Sequence, residues 1–157
     1  MQKALTCCFT GHRNIIKADL PRLQERLEQL LRELAAKGVT NFIAGGALGF
    51  DMLAAETVLR LREELPQLRL RLALPCAEQD AKWSETDKKR YSALLEQADD
   101  VVYTAQEYSA GCMHLRNRYM VDNSAYCIAY LKYSKGGTLY TVNYAIKNKL
   151  YICNLAN

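Results

Sequence analysis

The sequence predicts an α/β protein with a Rossmann-like fold, a three-layer α/β/α sandwich around a mainly parallel sheet. Two observations predict it. Apolar strand-like runs alternate with amphipathic helical runs through five β–α steps joined by short connections. The strand runs are almost continuously apolar, which is typical of parallel strands covered by helices on both faces. With 157 residues and no linker, low-complexity segment or repeat, the chain suits a single domain over 1–157.

The first half of the chain is predicted to contain strands at 4–10, 41–44 and 69–74 and helices at 20–37 and about 51–64. The first helix repeats leucine at helical spacing, which indicates one buried face. Asp19 can cap its start, and Gly38 follows its end, where helices commonly place glycine. Pro66 closes the second helix, because the residue before a proline disfavours the helical conformation.

The second half is predicted to contain helices at 84–97, 111–123 and 138–147 and strands at 100–104, 125–131 and 150–154. Ser84 and Asp87 have the spacing of a capping box at the start of the third helix. Residues 133–137 are predicted to form a turn before the last helix, because they contain two consecutive glycines.

Composition excludes several classes of protein. The net charge of +4, from 21 basic and 17 acidic residues, would tolerate an anionic ligand but does not diagnose a nucleic-acid binder. No apolar stretch approaches the roughly 20 residues that span a bilayer, and the apolar run at 4–10 lacks the flanks of a secretory signal. We therefore expect a soluble cytoplasmic protein with no membrane partner.

The six cysteines are predicted to be reduced thiols. Four of them lie inside apolar strand-like runs, where cysteine behaves as a small hydrophobic residue: Cys7, Cys8, Cys127 and Cys153. No C-x-x-C pair is present and the chain has two histidines, so the sequence predicts neither a disulfide framework nor a metal site. No cofactor is predicted.

In an open parallel sheet, ligands bind outside the carboxyl ends of the strands, so the strand-to-helix loops are the places to search. The loop 45–51, GGALGFD, follows the second strand. Its glycines Gly45, Gly46 and Gly49 would let main-chain N–H groups approach a phosphate, and the next helix favours negative charge there. The alternative is a tight turn in which Asp51 merely caps the helix.

Two further loops carry groups suited to anions. Residues 134–138, SKGGT, offer Gly136, Gly137 and the hydroxyl of Thr138 at a helix entrance, although an ordinary turn capped by Thr138 explains them equally well. Residues 10–13, TGHR, place Gly11, an imidazole and a guanidinium after the first strand. His12 and Arg13 have no structural task that the sequence reveals, which favours a role in function.

The fourth helix contributes one more candidate. Arg116 shares a helical face with Met120 and Asn123, so it is expected to point inward or into a cleft. The alternative is an arginine whose stem is packed while its charged end stays in water. We expect Arg13 and Arg116 to bind phosphate without supporting the fold.

These motifs together resemble the YpsA-like branch of the SLOG superfamily. The resemblance covers nearly the whole chain, in order, through five segments: CCFTGHR at 7–13, GGALGFD at 45–51, LPCAEQDAKWS at 74–84, GCMHLRNRYMVDNS at 111–124 and SKGGTLYTVNYA at 134–145. It implies a Rossmann-like fold and the binding of nucleotides or nucleotide-derived ligands.

A related group, the LOG nucleoside-monophosphate phosphoribohydrolases, implies a different activity. Its M-H-E-R-K helix resembles residues 113–117, which puts Arg116 in the place of the catalytic arginine. Its P-G-G-x-G-T-x-x-E loop resembles 134–141, where the glutamate position falls on Thr141, or on Asn143 in another register. Cleavage of an N-glycosidic bond needs a carboxylate, and Glu107 or Asp122 would have to supply it. We therefore expect binding rather than hydrolysis.

A second related group, DNA-processing protein A, binds single-stranded DNA on a similar core. Such binding uses aromatic stacking platforms in a basic groove. Six of the ten tyrosines crowd the C-terminal part of the chain: Tyr126, Tyr130, Tyr133, Tyr140, Tyr144 and Tyr151. Because tyrosines in strands and helices more often pack in cores, nucleic acid ranks second as a partner.

The sequence thus predicts a domain that binds or senses a nucleotide-like small molecule, and it leaves self-association open. The alternatives are a LOG-like hydrolase and a single-strand binder. The predicted ligand-binding set is Gly11, His12, Arg13, Gly45, Gly46, Gly49, Asp51, Arg116, Gly136, Gly137 and Thr138.

Overall fold

The computed structural model describes residues 2–157, and six parallel strands form its central sheet in the order β4-β3-β2-β1-β5-β6. The strands are β1 Thr6–Gly11, β2 Asn41–Ala44, β3 Arg69–Leu74, β4 Asp100–Tyr103, β5 Tyr126–Tyr130 and β6 Tyr151–Asn154. The helices are α1 Leu20–Ala36, α2 Phe50–Arg62, α3 Glu85–Gln97, α4 Cys112–Asp122 and α5 Gly136–Lys147. The predicted Rossmann-like α/β arrangement is confirmed.

Helices cover both faces of the sheet. The larger core packs α1, α2 and α3 against one face, where the leucines that repeat along α1 meet Phe9, Phe42 and Phe50. The smaller core packs α4 and α5 against the other face, around Cys8, Ile43 and Met120. This division follows from the strand order, because right-handed crossovers on opposite sides of β1 put their helices on opposite faces.

The strand order reverses at β1. The chain runs outward from β1 through β2, β3 and β4, and then crosses back to place β5 on the other side of β1. The ends of β1 and β5 are level, since Gly11 is in register with Tyr130. In open parallel sheets the crevice at such a switch point is where ligands bind.

Several predicted boundaries need correction. The first strand begins at Thr6, because Lys3–Leu5 forms a 3₁₀ turn. Asp19 does not cap α1 through its side chain. Its carboxylate instead accepts hydrogen bonds from the Tyr130 hydroxyl and from Lys132 Nζ, both at 3.0 Å. The last helix begins at Gly136, two residues before the predicted start, so both glycines lie in its first turn.

Two predicted helix signals are confirmed. Ser84 caps α3 and accepts a hydrogen bond from the Asp87 N–H at 3.2 Å. Gly38 follows α1 with φ +92°, a conformation that costs glycine little. The six cysteines are free thiols in this structure, and five of them are buried. Among residues 2–157, no helix has the length and apolar character needed to cross a membrane.

Candidate functional site at the carboxyl edge of the sheet

The loops that follow β1, β2 and β5 meet at the carboxyl edge of the sheet, as parallel strands require. Main-chain hydrogen bonds join them directly. The His12 N–H donates to the Tyr130 carbonyl at 3.2 Å, and the His12 carbonyl accepts from the Phe50 N–H at 3.2 Å. The start of α2 and the end of β5 are therefore fixed to the same short segment after β1.

The Gly45 loop, residues 45–51, is packed tightly against neighbouring groups. A Cβ on Gly45 would lie 2.7 Å from both Arg116 Nη1 and Asp51 Oδ2. Gly49 has φ +88°, and a Cβ there would overlap the Arg13 carbonyl. A side chain at either position is excluded by the protein's own atoms, so the fold itself requires glycine at both.

The side chain of Arg116 stabilises this loop through hydrogen bonds. Its side chain is buried, and Nη1 donates to the Gly45 carbonyl at 2.5 Å, with the Ala73 carbonyl and Gln79 Oε1 each at 3.4 Å. Nε donates to Asn117 Oδ1 at 2.8 Å. The expectation that Arg116 does not support the fold is therefore wrong, because its guanidinium ties α4 to the ends of β2 and β3.

The remaining nitrogen of Arg116 has a weaker partner. Nη2 reaches Met113 Sδ at 3.7 Å, and a thioether sulfur is a poor acceptor. The guanidinium therefore keeps hydrogen-bonding capacity on the side away from Gly45. An anion next to Nη2 would be a stronger acceptor than the sulfur.

Asp51 is a buried carboxylate in α2, close to Arg116. Burial raises its pKa to about 6, while the charge of Arg116 and the main-chain N–H groups of Ala47 and Gly45 act in the opposite direction. Burial also lowers the pKa of Arg116, and the Asp51 charge opposes that change. At neutral pH the carboxylate is mostly ionised and faces a guanidinium that stays protonated.

Two residues that the sequence analysis did not select complete this network. Gln79 lies in the loop after β3, and its Nε2 donates to the Gly45 carbonyl at 3.3 Å and to the Tyr91 hydroxyl at 3.2 Å. Burial raises the pKa of Tyr91 to about 12. The only signal for Gln79 was its place in the LPCAEQDAKWS segment, since its partners lie 12 to 37 positions away.

The Gly136 loop, residues 134–138, has much more open surroundings. A Cβ on Gly137 would have Asn117 Nδ2, at 4.0 Å, as its nearest neighbour among residues 2–157 apart from the backbone of its own helix and its chain neighbours. Thr138 is buried in the first turn of α5, and Thr141 Oγ1 donates back to the Gly137 carbonyl at 2.8 Å. The N–H groups at the start of a helix lack partners within the helix and carry partial positive charge, which favours an anion there.

His12 and Arg13 have different surroundings from one another. His12 Nε2 accepts hydrogen bonds from the main-chain N–H groups of Lys132 and Tyr133, both at 2.9 Å. The histidine therefore has a structural contact that the sequence did not reveal. Arg13 is exposed and lines a cavity with Gly49 and Arg90, on the α3 side of the Gly45 loop. Arg116 instead lies under Gly45, so the two arginines are not brought together.

The carboxylates considered for hydrolysis are poorly placed. Asp122 ends α4 at the opposite edge of the sheet and accepts from the Tyr144 hydroxyl at 2.8 Å. Glu107 is exposed in the loop before α4. Thr141, at the position of the LOG glutamate, bonds to the main chain of its own helix. Asp51 is therefore the buried carboxylate nearest to Arg116 that the structure identifies.

Exposed aromatic rings surround the carboxyl edge. Tyr103 ends β4, Tyr108 lies in the loop after it, and Tyr133 follows β5, with side chains 50%, 71% and 48% exposed. Lys135 Nζ lies 5.7 Å from the centre of the Tyr133 ring. This edge thus combines cations with surfaces on which a planar ring could stack.

A separate apolar cavity of about 360 Å³ lies between α1 and strands β5 and β6. Its lining includes Leu30, Leu34 and Tyr151, and Lys37 is its one charged residue. This cavity lacks the converging polar groups that orient a nucleotide. The strand-end loops remain the better candidate site.

Comparison with known proteins agrees with this architecture. The model of the YspA SLOG family matches residues 7–153. The chain is 34% identical over 142 residues to the SPbeta prophage-derived protein YoqJ of Bacillus subtilis (strain 168), covering 82% of this chain and 83% of that protein. It is also 34% identical over 104 residues to a UPF0398 protein of Halalkalibacterium halodurans, covering 65% of this chain and 55% of that protein.

Two solved structures share the fold. DNA processing protein A from Helicobacter pylori, described with a single-stranded DNA binding mode, superposes with a TM-score of 0.67 at 22% identity. DNA processing protein A from Streptococcus pneumoniae superposes with a TM-score of 0.65 at 14% identity. Each match covers 96% of this chain, which spans 64% and 50% of those two longer chains.

Proposed function

Because this chain belongs to the YspA SLOG family, we propose that it binds a nucleotide or a nucleotide derivative at the carboxyl edge of its sheet. The phosphate would lie at the N-terminus of α5, next to Gly137, Thr138 and Asn117. The rest of the ligand would extend across the ends of β1 and β2. Binding at helix N-termini after parallel strands is a common solution for phosphate recognition.

The proposal rests on the open surroundings of Gly137. Glycine in the middle of a helix costs roughly 0.5–1 kcal/mol relative to alanine, and two successive glycines in the first turn of α5 also call for a reason. Close packing supplies that reason at Gly45 and Gly49. Gly137 has neither a positive φ nor a close neighbour among residues 2–157. A ligand atom that approaches the main chain at this point would supply the missing reason.

Two polar groups near this position can serve an anion. Thr138 offers a hydroxyl in the first turn of α5, and Asn117 Nδ2 lies beside Gly137. A third group, Arg116 Nη2, contacts the Met113 sulfur and would serve a ligand that extends towards the Gly45 loop. A hydrogen bond to a charged group contributes about 1.5–3 kcal/mol, so two or three of them give a useful affinity.

The other members of the predicted set would shape the cleft rather than contact the phosphate. Gly11, Gly45, Gly46 and Gly49 keep the loops close together, and Asp51 with Arg116 holds the Gly45 loop. Binding without turnover is favoured because the LOG glutamate position carries Thr141, which bonds to the main chain. Arg13 would reach a ligand only from the α3 side.

Titration calorimetry with nucleoside monophosphates and the matching nucleosides tests the proposal. We expect measurable binding of at least one monophosphate and about tenfold weaker binding to Thr138→Val, which removes one hydroxyl. Thr86→Val is the matched control, because Thr86 lies in the first turn of α3. The proposal fails if no monophosphate binds, or if Thr138→Val and Thr86→Val behave alike.

The exposed tyrosines favour a second function, binding of single-stranded nucleic acid. Tyr103 ends β4 and Tyr133 follows β5, and these two strands are four strand spacings, or about 19 Å, apart. A row of that length suits several stacked bases rather than one, and the similar Helicobacter pylori protein has a single-stranded DNA binding mode.

Fluorescence anisotropy with a labelled oligonucleotide tests this second function. Tyr108→Ala should weaken binding by about tenfold, because one lost stacking contact is worth roughly 1–3 kcal/mol. Tyr151→Ala is the control, since Tyr151 is equally exposed at the opposite edge of the sheet. Equal affinities of these two variants would exclude the strand-end tyrosines as the binding surface.

A further inference from the structure

His12 joins two loops through a single nitrogen atom. Its Nε2 accepts from the N–H groups of Lys132 and Tyr133, each at 2.9 Å, across 120 and 121 positions of sequence. Lys132 and Tyr133 immediately precede the Gly136 loop. The imidazole therefore fixes the main chain that leads from β5 into the first turn of α5.

This contact requires a neutral imidazole. A ring nitrogen accepts a hydrogen bond only through its lone pair, so the proton of His12 must be on Nδ1. Protonation at Nε2 would turn the acceptor into a donor that faces two other donors. Both hydrogen bonds would then be lost together, and the Lys132–Tyr133 main chain would lose its attachment to the loop after β1.

Burial and a neighbouring positive charge also oppose the protonation of His12. The rings of Tyr130 and Tyr133 lie 5.9 and 5.6 Å from the imidazole. Burial and the charge of Lys135 lower the pKa of His12. The carboxylate of Asp19, whose negative charge would favour protonation, is already paired with Lys132 Nζ and the Tyr130 hydroxyl, which lower its own pKa. Arg13 adds a further positive charge in the same loop.

We propose that His12 is a positioning residue for the phosphate site, and that its protonation releases the Gly136 loop and weakens ligand binding in acid. The proposal rests on the phosphate site suggested above. Because the pKa of His12 in the folded protein lies below its unfolded value of 6.5, the contribution is complete above pH 6.5. It is lost as the pH falls from there through the folded pKa.

The first experiment needs no ligand. Amide hydrogen exchange, corrected for the intrinsic dependence on pH, should show protected N–H groups at Lys132 and Tyr133 at pH 7.5 and loss of protection at pH 5. His12→Ala should lose this protection at both pH values. His12→Gln should retain it at both, because an amide oxygen can accept without titrating. His114→Ala, which changes the other histidine of the chain, is the control and should behave like the wild type.

The second experiment measures binding of a nucleoside monophosphate from pH 7.5 to pH 5. Wild-type affinity should fall about tenfold more than that of His12→Gln, because only the wild type loses two hydrogen bonds. Since the phosphate itself titrates near pH 6 in both titrations, the difference between the two proteins isolates His12. The proposal is overturned if wild type and His12→Gln have the same pH profile, or if His12→Ala keeps both amides protected. If the exchange results hold but no monophosphate binds, the loop attachment stands and the proposed ligand is wrong.

Discussion

The Gly45 loop and the Gly136 loop are similar in sequence and opposite in their surroundings. Each follows a parallel strand, contains adjacent glycines and leads into a helix at the same edge of the sheet. Around Gly45, the side chains of Arg116 and Asp51 lie 2.7 Å from where a Cβ would be. Around Gly137, the nearest group to such a Cβ among residues 2–157, apart from the backbone of its own helix and its chain neighbours, is Asn117 Nδ2 at 4.0 Å.

This difference separates two reasons for glycine at a strand end. In the Gly45 loop, the protein's own packing excludes any side chain, so glycine there is no evidence for a ligand. In the Gly136 loop, packing among residues 2–157 gives no such reason, and the proposal above assigns Gly137 to a ligand that approaches the main chain. The two loops therefore predict different responses to the same kind of substitution.

The largest effect is expected for Arg116→Ala, which removes the support of the Gly45 loop. The change would leave Asp51 as a buried charge without its partner and cost about 3–5 kcal/mol of unfolding free energy. Urea unfolding measures it. Arg118→Ala is the control in the same helix, because Arg118 donates to the Tyr140 hydroxyl near the surface and should change stability far less than Arg116→Ala does. Equal stabilities of the two variants would contradict the supporting role of Arg116.

A smaller loss is expected for Gly49→Ala. The new methyl group would overlap the Arg13 carbonyl, and φ +88° would strain any residue with a Cβ. Together these effects should cost about 2–4 kcal/mol. Gly38→Ala separates them, because Gly38 has φ +92° but open surroundings, and it should cost only about 1–2 kcal/mol. If both variants lose the same stability, the close contact at Gly49 is unimportant.

Asp51→Asn should change the pH dependence of stability. The pKa of Asp51 is raised to about 6, so the folded state binds a proton more readily than the unfolded state between about pH 4 and pH 6. Wild-type stability should therefore rise relative to Asp51→Asn as the pH falls through that range, by at most about 3 kcal/mol. Unfolding of both proteins at pH 7 and pH 4.5 measures the difference. A constant difference would mean that Asp51 titrates normally in the folded protein.

Local patterns predicted most of the fold. The leucines of α1, the cap at Ser84 and the continuous apolar strands each act within a few residues, and each prediction is confirmed. The site was less predictable because its contacts are distant in sequence. Arg116 bonds to a carbonyl 71 positions away, and His12 accepts from residues about 120 positions away. No local pattern of residues encodes such pairs, so the sequence could suggest Arg116 as inward-facing but not what it supports.

The start of α5 illustrates the same limit on a smaller scale. Gly136 and Gly137 predicted a turn, because glycine is a poor helix former. The structure includes both in the first turn of the helix, where φ +76° at Gly136 accommodates the change of direction after Lys135. The helix thus begins with two residues that weaken it. The sequence alone could not show that the surroundings of Gly137 leave room for the methyl group of alanine.

Gly137→Ala should have the smallest effect on stability and a clear effect on binding. Among residues 2–157, a methyl group at this position meets Asn117 Nδ2 at an ordinary contact distance, and alanine favours the helix. We therefore expect the unfolding free energy to rise by up to about 1 kcal/mol. The same methyl group would occupy the space in which a phosphate approaches the main chain, so monophosphate affinity should fall by about tenfold or more, since at least one charged hydrogen bond is lost. Urea unfolding and titration calorimetry on one preparation measure both quantities.

Gly38→Ala, at the far end of the sheet, is the control and should lower stability and leave affinity unchanged. A stable Gly137→Ala variant with full affinity would mean that the open space beside Gly137 is not where the ligand binds.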